Sequence, residues 1–200
     1  MVLFSNINDA LKEYSSGKMI IVMDDETREN EGDIVINARF ASKENITFIK
    51  NNTSGILCAV ITPDKAKRLE LNPMVERNTD NHQTAFTVTC DSVHSNTGVS
   101  SEDRYLTLHA LYSENIGLRK PGHMFPLIAR PDGLKERRGH TEAVYELNRL
   151  TCPETFDKEV GLISELVNED GTMMRYPDAK KFADKYSLSI INIQQILELI

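Results

Sequence analysis

The sequence predicts an α+β or mixed α/β fold in which helices cover a mixed sheet. Three observations lead there. Seven short runs rich in Val, Ile, Thr and Phe fall at 19–23, 33–40, 55–62, 85–93, 123–130, 160–167 and 187–191, each about the length of a strand. Six helical stretches with recognisable starts lie among them. The two kinds of element alternate irregularly, as helices laid over a mixed sheet do.

Each helix carries its own start signal. Ser42 caps 43–52, and Thr62-Pro63-Asp64 supplies a cap, a proline at the first helical position and an acid in the first turn. Ser100 with Asp103 opens 101–113 in the manner of a capping box, although Glu or Gln is the usual fourth residue. Gly139-His140-Thr141 begins a helix running to about 150. Asp178 starts 179–186, and Asn192 caps the terminal INIQQILELI. The polar stretches 76–82, 95–100 and 131–138 are too short to be linkers, and no repeat or composition break interrupts the chain. One domain over 1–200 is expected.

Bulk properties narrow the function. With 40% hydrophobic and 26% charged residues the 200-residue chain is ordinary globular protein. A net charge of −7 is the wrong sign for a general nucleic-acid binder. MVLFSNINDALKEY lacks the basic and apolar regions of a signal peptide, and runs such as MIIVM are far too short to span a bilayer. Three widely spaced cysteines, without C-x-x-C, argue against a disulfide framework and for a reducing, cytoplasmic setting.

Two segments carry chemistry. DDETRENEGD (24–33) packs six acids and one arginine into ten positions between two apolar runs. If 28–33 is extended, Glu29, Glu31 and Asp33 share a face, where they repel unless a cation or a proton relieves them. A solvated acidic turn is the simpler reading, because charge runs usually face water. Arg28 inside the cluster, and the direct run into the strand at Asp33, favour a site held by a rigid element. The order of acids and glycine does not fit an EF-hand. The second segment, ARPDGLKERRGHTEAVYEL (129–147), concentrates Arg130, Lys135, Arg137 and Arg138 before a helix start. Free backbone N–H groups beside arginines and the Thr141 hydroxyl suit a phosphate, though a basic surface loop would look the same. A phosphorylated substrate chelated by Mg²⁺ would satisfy both segments. Neither His82, His94 nor His109 has a supporting constellation, so these are expected to be structural or exposed; Met173 and Met174 are expected to pack.

At these residues the sequence resembles the 3,4-dihydroxy-2-butanone 4-phosphate synthase family. The resemblance runs through DDETRENEGDIVI, SGILCAV (54–60), HQTAFTVT (82–89), NTGVSSEDR (96–104), KPGHMFPLIAR (120–130), RRGHTEA (137–143) and GLISELVNEDGTMMR (161–175), in the family's order. It implies a three-layer α/β/α sandwich around a mixed sheet of about seven strands, a homodimer, and a lyase of riboflavin biosynthesis. The implied reaction converts D-ribulose 5-phosphate to L-3,4-dihydroxy-2-butanone 4-phosphate and formate, with one or two Mg²⁺ or Mn²⁺ ions. The chain resembles the stand-alone form without a fused GTP cyclohydrolase II domain. Carried over by residue, Glu29 and His140 match metal ligands, and Arg28 and Asp33 match substrate contacts. Arg137, Arg138, Gly139, His140 and Thr141 match the phosphate loop, while Glu165 and His123 match an essential glutamate and histidine. Cys58 and Thr97 lie in pocket-lining segments, and Thr84 is a further substrate-contact candidate. Asp33, Glu31, Glu165 and His123 are the acid–base candidates; Cys58 is a further candidate, although a buried small hydrophobe in a strand is the simpler reading of it. Another metal-dependent ketose-phosphate isomerase or aldolase, or a non-catalytic binding module, stays open as an alternative.

Overall fold

The computed structural model describes residues 3–200. Seven strands form one mixed sheet: β1 (Ile20–Met23), β2 (Gly32–Asn37), β3 (Cys58–Ile61), β4 (Cys90–Ser92), β5 (Leu118–Ile128), β6 (Gly161–Glu165) and β7 (Ile190–Asn192). Their order across the sheet is β4-β5-β3-β6-β2-β1-β7. The β1–β7 and β3–β5 pairs are parallel; the other neighbours run antiparallel. Seven helices accompany them: α1 (Ile7–Ser15), α2 (Lys43–Asn52), α3 (Pro63–Arg68), α4 (Ser101–Ser113), α5 (His140–Thr151), α6 (Tyr176–Tyr186) and α7 (Ile193–Leu197).

The three layers follow from side-chain alternation along the central strands. Ile21, Met23, Ile34 and Ile36 point to one face, where Ile46 and Ile49 of α2, Leu108 and Leu111 of α4, and Ala179 and Phe182 of α6 cover them. Ile20, Val22, Val35 and Val60 point to the other, under Ala10 and Tyr14 of α1, Val144 and Leu147 of α5, and Ile193 and Ile196 of α7. Both faces are buried, so the strands read as continuous apolar runs.

The expected caps form at Ser42, Thr62, Ser100 and Asn192, each side chain accepting a backbone N–H in the first turn. Asp103 differs from its expected role: its carboxylate takes the amides of Asn96 at 2.7 Å and Gly98 at 3.1 Å, fixing the loop before α4. α6 begins at Tyr176 rather than beyond Asp178, because Pro177 in its first turn needs no amide partner there. The 85–93 run contributes only Cys90–Ser92 to a strand; Phe86 and Thr87 make isolated bridges to Leu127 and Pro73. β5 starts at Leu118, five residues before the expected start at His123. Over 118–124 it pairs with β4 alone, an edge situation that tolerates Pro121.

Candidate active site

The acidic segment is the connection between β1 and β2, and one of its own carboxylates shapes it. Asp24 is buried; its Oδ1 accepts the Glu31 amide at 2.9 Å, and its Oδ2 accepts the Glu29 amide at 3.1 Å and Arg28 Nη1 at 2.8 Å. The segment therefore turns rather than staying extended, with Asn30 at a φ of 57°. Glu29, Glu31 and Asp33 still converge, through this turn and not through strand alternation, and all three line one cleft.

That cleft, about 210 Å³, is also lined by Arg28, Cys58, Thr84, Arg137, His140, Thr141 and Glu165. Glu29 and His140, 111 positions apart in sequence, meet there: Glu29 Oε2 lies 3.8 Å from His140 Nδ1. Asp33 Oδ1 is 3.7 Å from the same nitrogen. Asp33 and Glu165 are register partners on β2 and β6, and Cys58 of β3 pairs with Ile163 two residues before Glu165. Glu165 is held by the Ser54 hydroxyl, 2.6 Å from its Oε2. A larger hollow of about 440 Å³ lies in the α2–α6 layer beside Lys181, Lys185 and Tyr186, and no candidate residue reaches it.

Burial sets the electrostatics. It drives the Asp33 carboxyl well above its ordinary range, helped by Glu165 and then Glu29. Glu31 is raised for the same reason, with the Glu29 charge adding the next largest push. Burial also lowers the His140 imidazole against the pull of Asp24 and Glu29, which favours the neutral, ligating form. Cys58 is raised well above its ordinary value, by burial first and then by Glu165 and Asp33, so its thiol keeps its proton and is no nucleophile at neutral pH.

The donor set fits a hard divalent cation. Atoms of Asp24, Glu29 and His140 lie within 4.8 Å of one another, a carboxylate–imidazole group suited to Mg²⁺ or Mn²⁺. Two buried polar atoms of cleft-lining residues, Asp33 Oδ1 and His140 Nε2, have no hydrogen-bond partner among the described residues. Buried polar groups are normally satisfied, so these two mark the cleft as a place for a ligand. Beside them, α5 starts at Gly139 with no side-chain cap, leaving first-turn N–H groups for an anion.

Not every candidate reaches the cleft. Arg138 is half exposed, bound to Asp25 at 3.0 Å and Gln194 at 2.9 Å, and Gly139 forms only the helix cap. His123 and Thr97 lie elsewhere: His123 Nδ1 is 2.8 Å from Asp91 Oδ2, and the ring packs against Gly98. Conversely, His82 lacked a sequence constellation yet lies 3.5 Å from Glu29 Oε1. Asp80 lines the cleft too, and Asp24, outside that lining, fixes the turn that carries Glu29 and Glu31. For His82 only its place beside Thr84 in HQTAFTVT hinted at this, and for Asp80 only its position two residues before that segment.

The family described as 3,4-dihydroxy-2-butanone 4-phosphate synthase matches residues 8–199. Among curated relatives, the riboflavin biosynthesis protein RibBA of Bacillus mycoides (strain KBAB4) is 42% identical over 198 residues, covering 98% of this chain and 49% of that protein. RibBA of Bacillus velezensis is 42% identical over 199 residues with the same coverage. The chain thus spans about half the length of the curated relatives it matches. Among solved structures, the 3,4-dihydroxy-2-butanone 4-phosphate synthase of Candida albicans superposes with a TM-score of 0.88 at 41% identity, covering 98% of both chains. A synthase of the same description in complex with two magnesium ions gives a TM-score of 0.88 at 35% identity, covering 96% of this chain and 94% of that one.

Proposed function

We infer that the chain, which belongs to the 3,4-dihydroxy-2-butanone 4-phosphate synthase family, converts D-ribulose 5-phosphate to L-3,4-dihydroxy-2-butanone 4-phosphate and formate in riboflavin biosynthesis. The carrying observation is the meeting of Glu29, Asp33 and His140 in one cleft beside the uncapped start of α5. Glu29 and His140 would hold Mg²⁺ or Mn²⁺, with Asp24 within reach of the same ion. One or two such ions, when bound, supply Lewis-acid stabilisation of substrate oxygens that gain negative charge.

The remaining work falls to the chain's own groups. Arg137, Thr141 and the first amides of α5 bind the phosphate end. Asp33 is the base that removes the proton beside the ketone to give an enediol; burial lifts its basicity toward the working pH. Glu31 and Glu165 take and return protons in the later dehydration, rearrangement and release of formate. Arg28, tied to Asp24 and Glu29, orients the acidic turn and the sugar hydroxyls. Cys58, protonated, packs against the substrate.

The functional unit is proposed to be a homodimer. Val93 and Val99 are 45% and 46% exposed and flank the segment that carries Thr97. The setting is the cytoplasm, which suits three free thiols. No helix among the described residues is long and apolar enough to cross a membrane.

Formate release from ribulose 5-phosphate tests the function. NMR should show formate with Mg²⁺ and none after EDTA. Interconversion of sugar phosphates without formate would instead identify the isomerase alternative, which shares the enediol step.

A further inference from the structure

We propose that Glu142 is a positioning residue that acts through Arg137, making one ion pair both a wall of the cleft and the aim of its phosphate contact. Glu142 is the third residue of α5 and only 1% exposed. Its Oε2 accepts Arg137 Nη1 at 2.6 Å, and its Oε1 accepts the Arg130 amide at 3.1 Å. Among the described residues it is the one carboxylate within ion-pair distance of Arg137.

Arg137 spends its other contacts on the loop across the cleft. Its Nε donates to the His82 carbonyl and its Nη2 to Thr84 Oγ1, both at 2.8 Å. That loop is a closed turn on Asp80, whose Oδ2 accepts the amides of His82 and Thr84 at 3.1 and 2.9 Å. It delivers Asp80 and Thr84 to the cleft lining and His82 to Glu29. A guanidinium has five N–H groups in a rigid fork. Three are committed here, which leaves two for an oxyanion.

The helix start is built around this fork. A Cβ on Gly139 would lie 2.2 Å from Arg137 Nη1 and 3.2 Å from Glu142 Oε2, so only glycine lets the guanidinium cross the start of α5. Glu142 thus does more than complement the helix dipole. It fixes the cleft-lining side chain that joins His82 and Thr84 of the 78–84 loop to the phosphate end of the cleft.

The proposal rests on Arg137 meeting the substrate phosphate, so the experiment keeps the two separable. Wild type, Glu142→Gln and Glu142→Asp are compared for kcat and KM with ribulose 5-phosphate, inhibition by inorganic phosphate, and amide exchange over 78–84. Glu142→Gln should raise KM and the phosphate inhibition constant together by about 10-fold, change kcat much less, and speed exchange in the loop. Glu142→Asp, which keeps the charge, should recover part of the phosphate affinity. A lower Tm in Glu142→Gln with unchanged phosphate inhibition and loop exchange overturns the proposal and leaves a helix-start role only. Should Glu142→Gln not fold, Glu142→Asp and Thr84→Val decide it; unchanged loop exchange in both overturns it. If phosphate affinity falls in Glu142→Gln as expected but the wild type makes no formate, the clamp stands and the reaction assignment falls.

Discussion

Asp33 and Glu165 face each other as register partners on adjacent antiparallel strands, both lining the cleft. Like charges directly opposite in a ladder are destabilising, and here Asp33 is also buried. The sheet therefore holds an arrangement that only a proton or a cation relieves.

A first prediction follows for stability against activity. A folded-state pKa above the unfolded value of 3.8 means that the native protein binds more protons, so Asp33 lowers stability as pH rises past that value. Asp33→Asn removes this cost. Without added metal, its Tm at pH 7 should exceed wild type by a few degrees, about 2–4 °C per kcal/mol in a chain of this size. Formate production should fall about 10²- to 10⁴-fold, the usual worth of a general base. A lower Tm together with retained turnover would remove Asp33 from the base role.

A second prediction concerns acid stability far from the cleft. Glu114 accepts from the buried Lys65 at 2.7 Å and from Arg68 at 2.8 Å. The Arg68 contacts first, then Lys65 against the cost of burial, hold its carboxyl at about 2, below the ordinary 4.5. This stabilisation is fully present above pH 4.5 and is lost as pH falls toward 2. Glu114→Gln should therefore flatten the pH dependence of unfolding between those values, measured by chemical denaturation at stepped pH. An unchanged slope would contradict it.

Gly122 supplies a third. It sits on β5 where the β4 register shifts between Cys90 and Asp91, and an added Cβ would lie 2.1 Å from the Cys90 carbonyl carbon and 2.3 Å from the Asp91 nitrogen. Those are backbone atoms and cannot swing aside. Gly122→Ala should cost about 1–3 kcal/mol or more, read as a drop in the thermal midpoint. A neutral substitution would show that β4 is free to shift.

Much of this was legible in residues alone, for physical reasons that differ by element. MIIVM and DIVINARF announce their strands because both sheet faces are buried, and Ser42, Thr62, Ser100 and Asn192 announce their helices by capping. α1 carries the same kind of signal: behind the Asn6 cap, Ile7, Ala10, Leu11 and Tyr14 recur at i, i+3, i+4 and i+7 and pack on the sheet. The 85–93 run looked like one strand, yet a register shift and isolated bridges break it. In the site, the acidic and basic segments could each be recognised but not their fine roles. Asp24 reads as one acid among six, and only the fold shows it stapling the turn. Arg137 and Arg138 are neighbours in sequence, yet one lies across the cleft wall and the other pairs outward with Asp25.

The central claim is that Glu29, from the β1–β2 turn, and His140, from the first residue of α5, jointly hold a divalent ion. Titration with Mn²⁺ followed by electron paramagnetic resonance measures it without relying on turnover. Wild type should bind, and Glu29→Gln and His140→Ala should each weaken binding by about 10-fold or more while staying folded. Wild-type Mn²⁺ affinity in both folded variants would contradict the account.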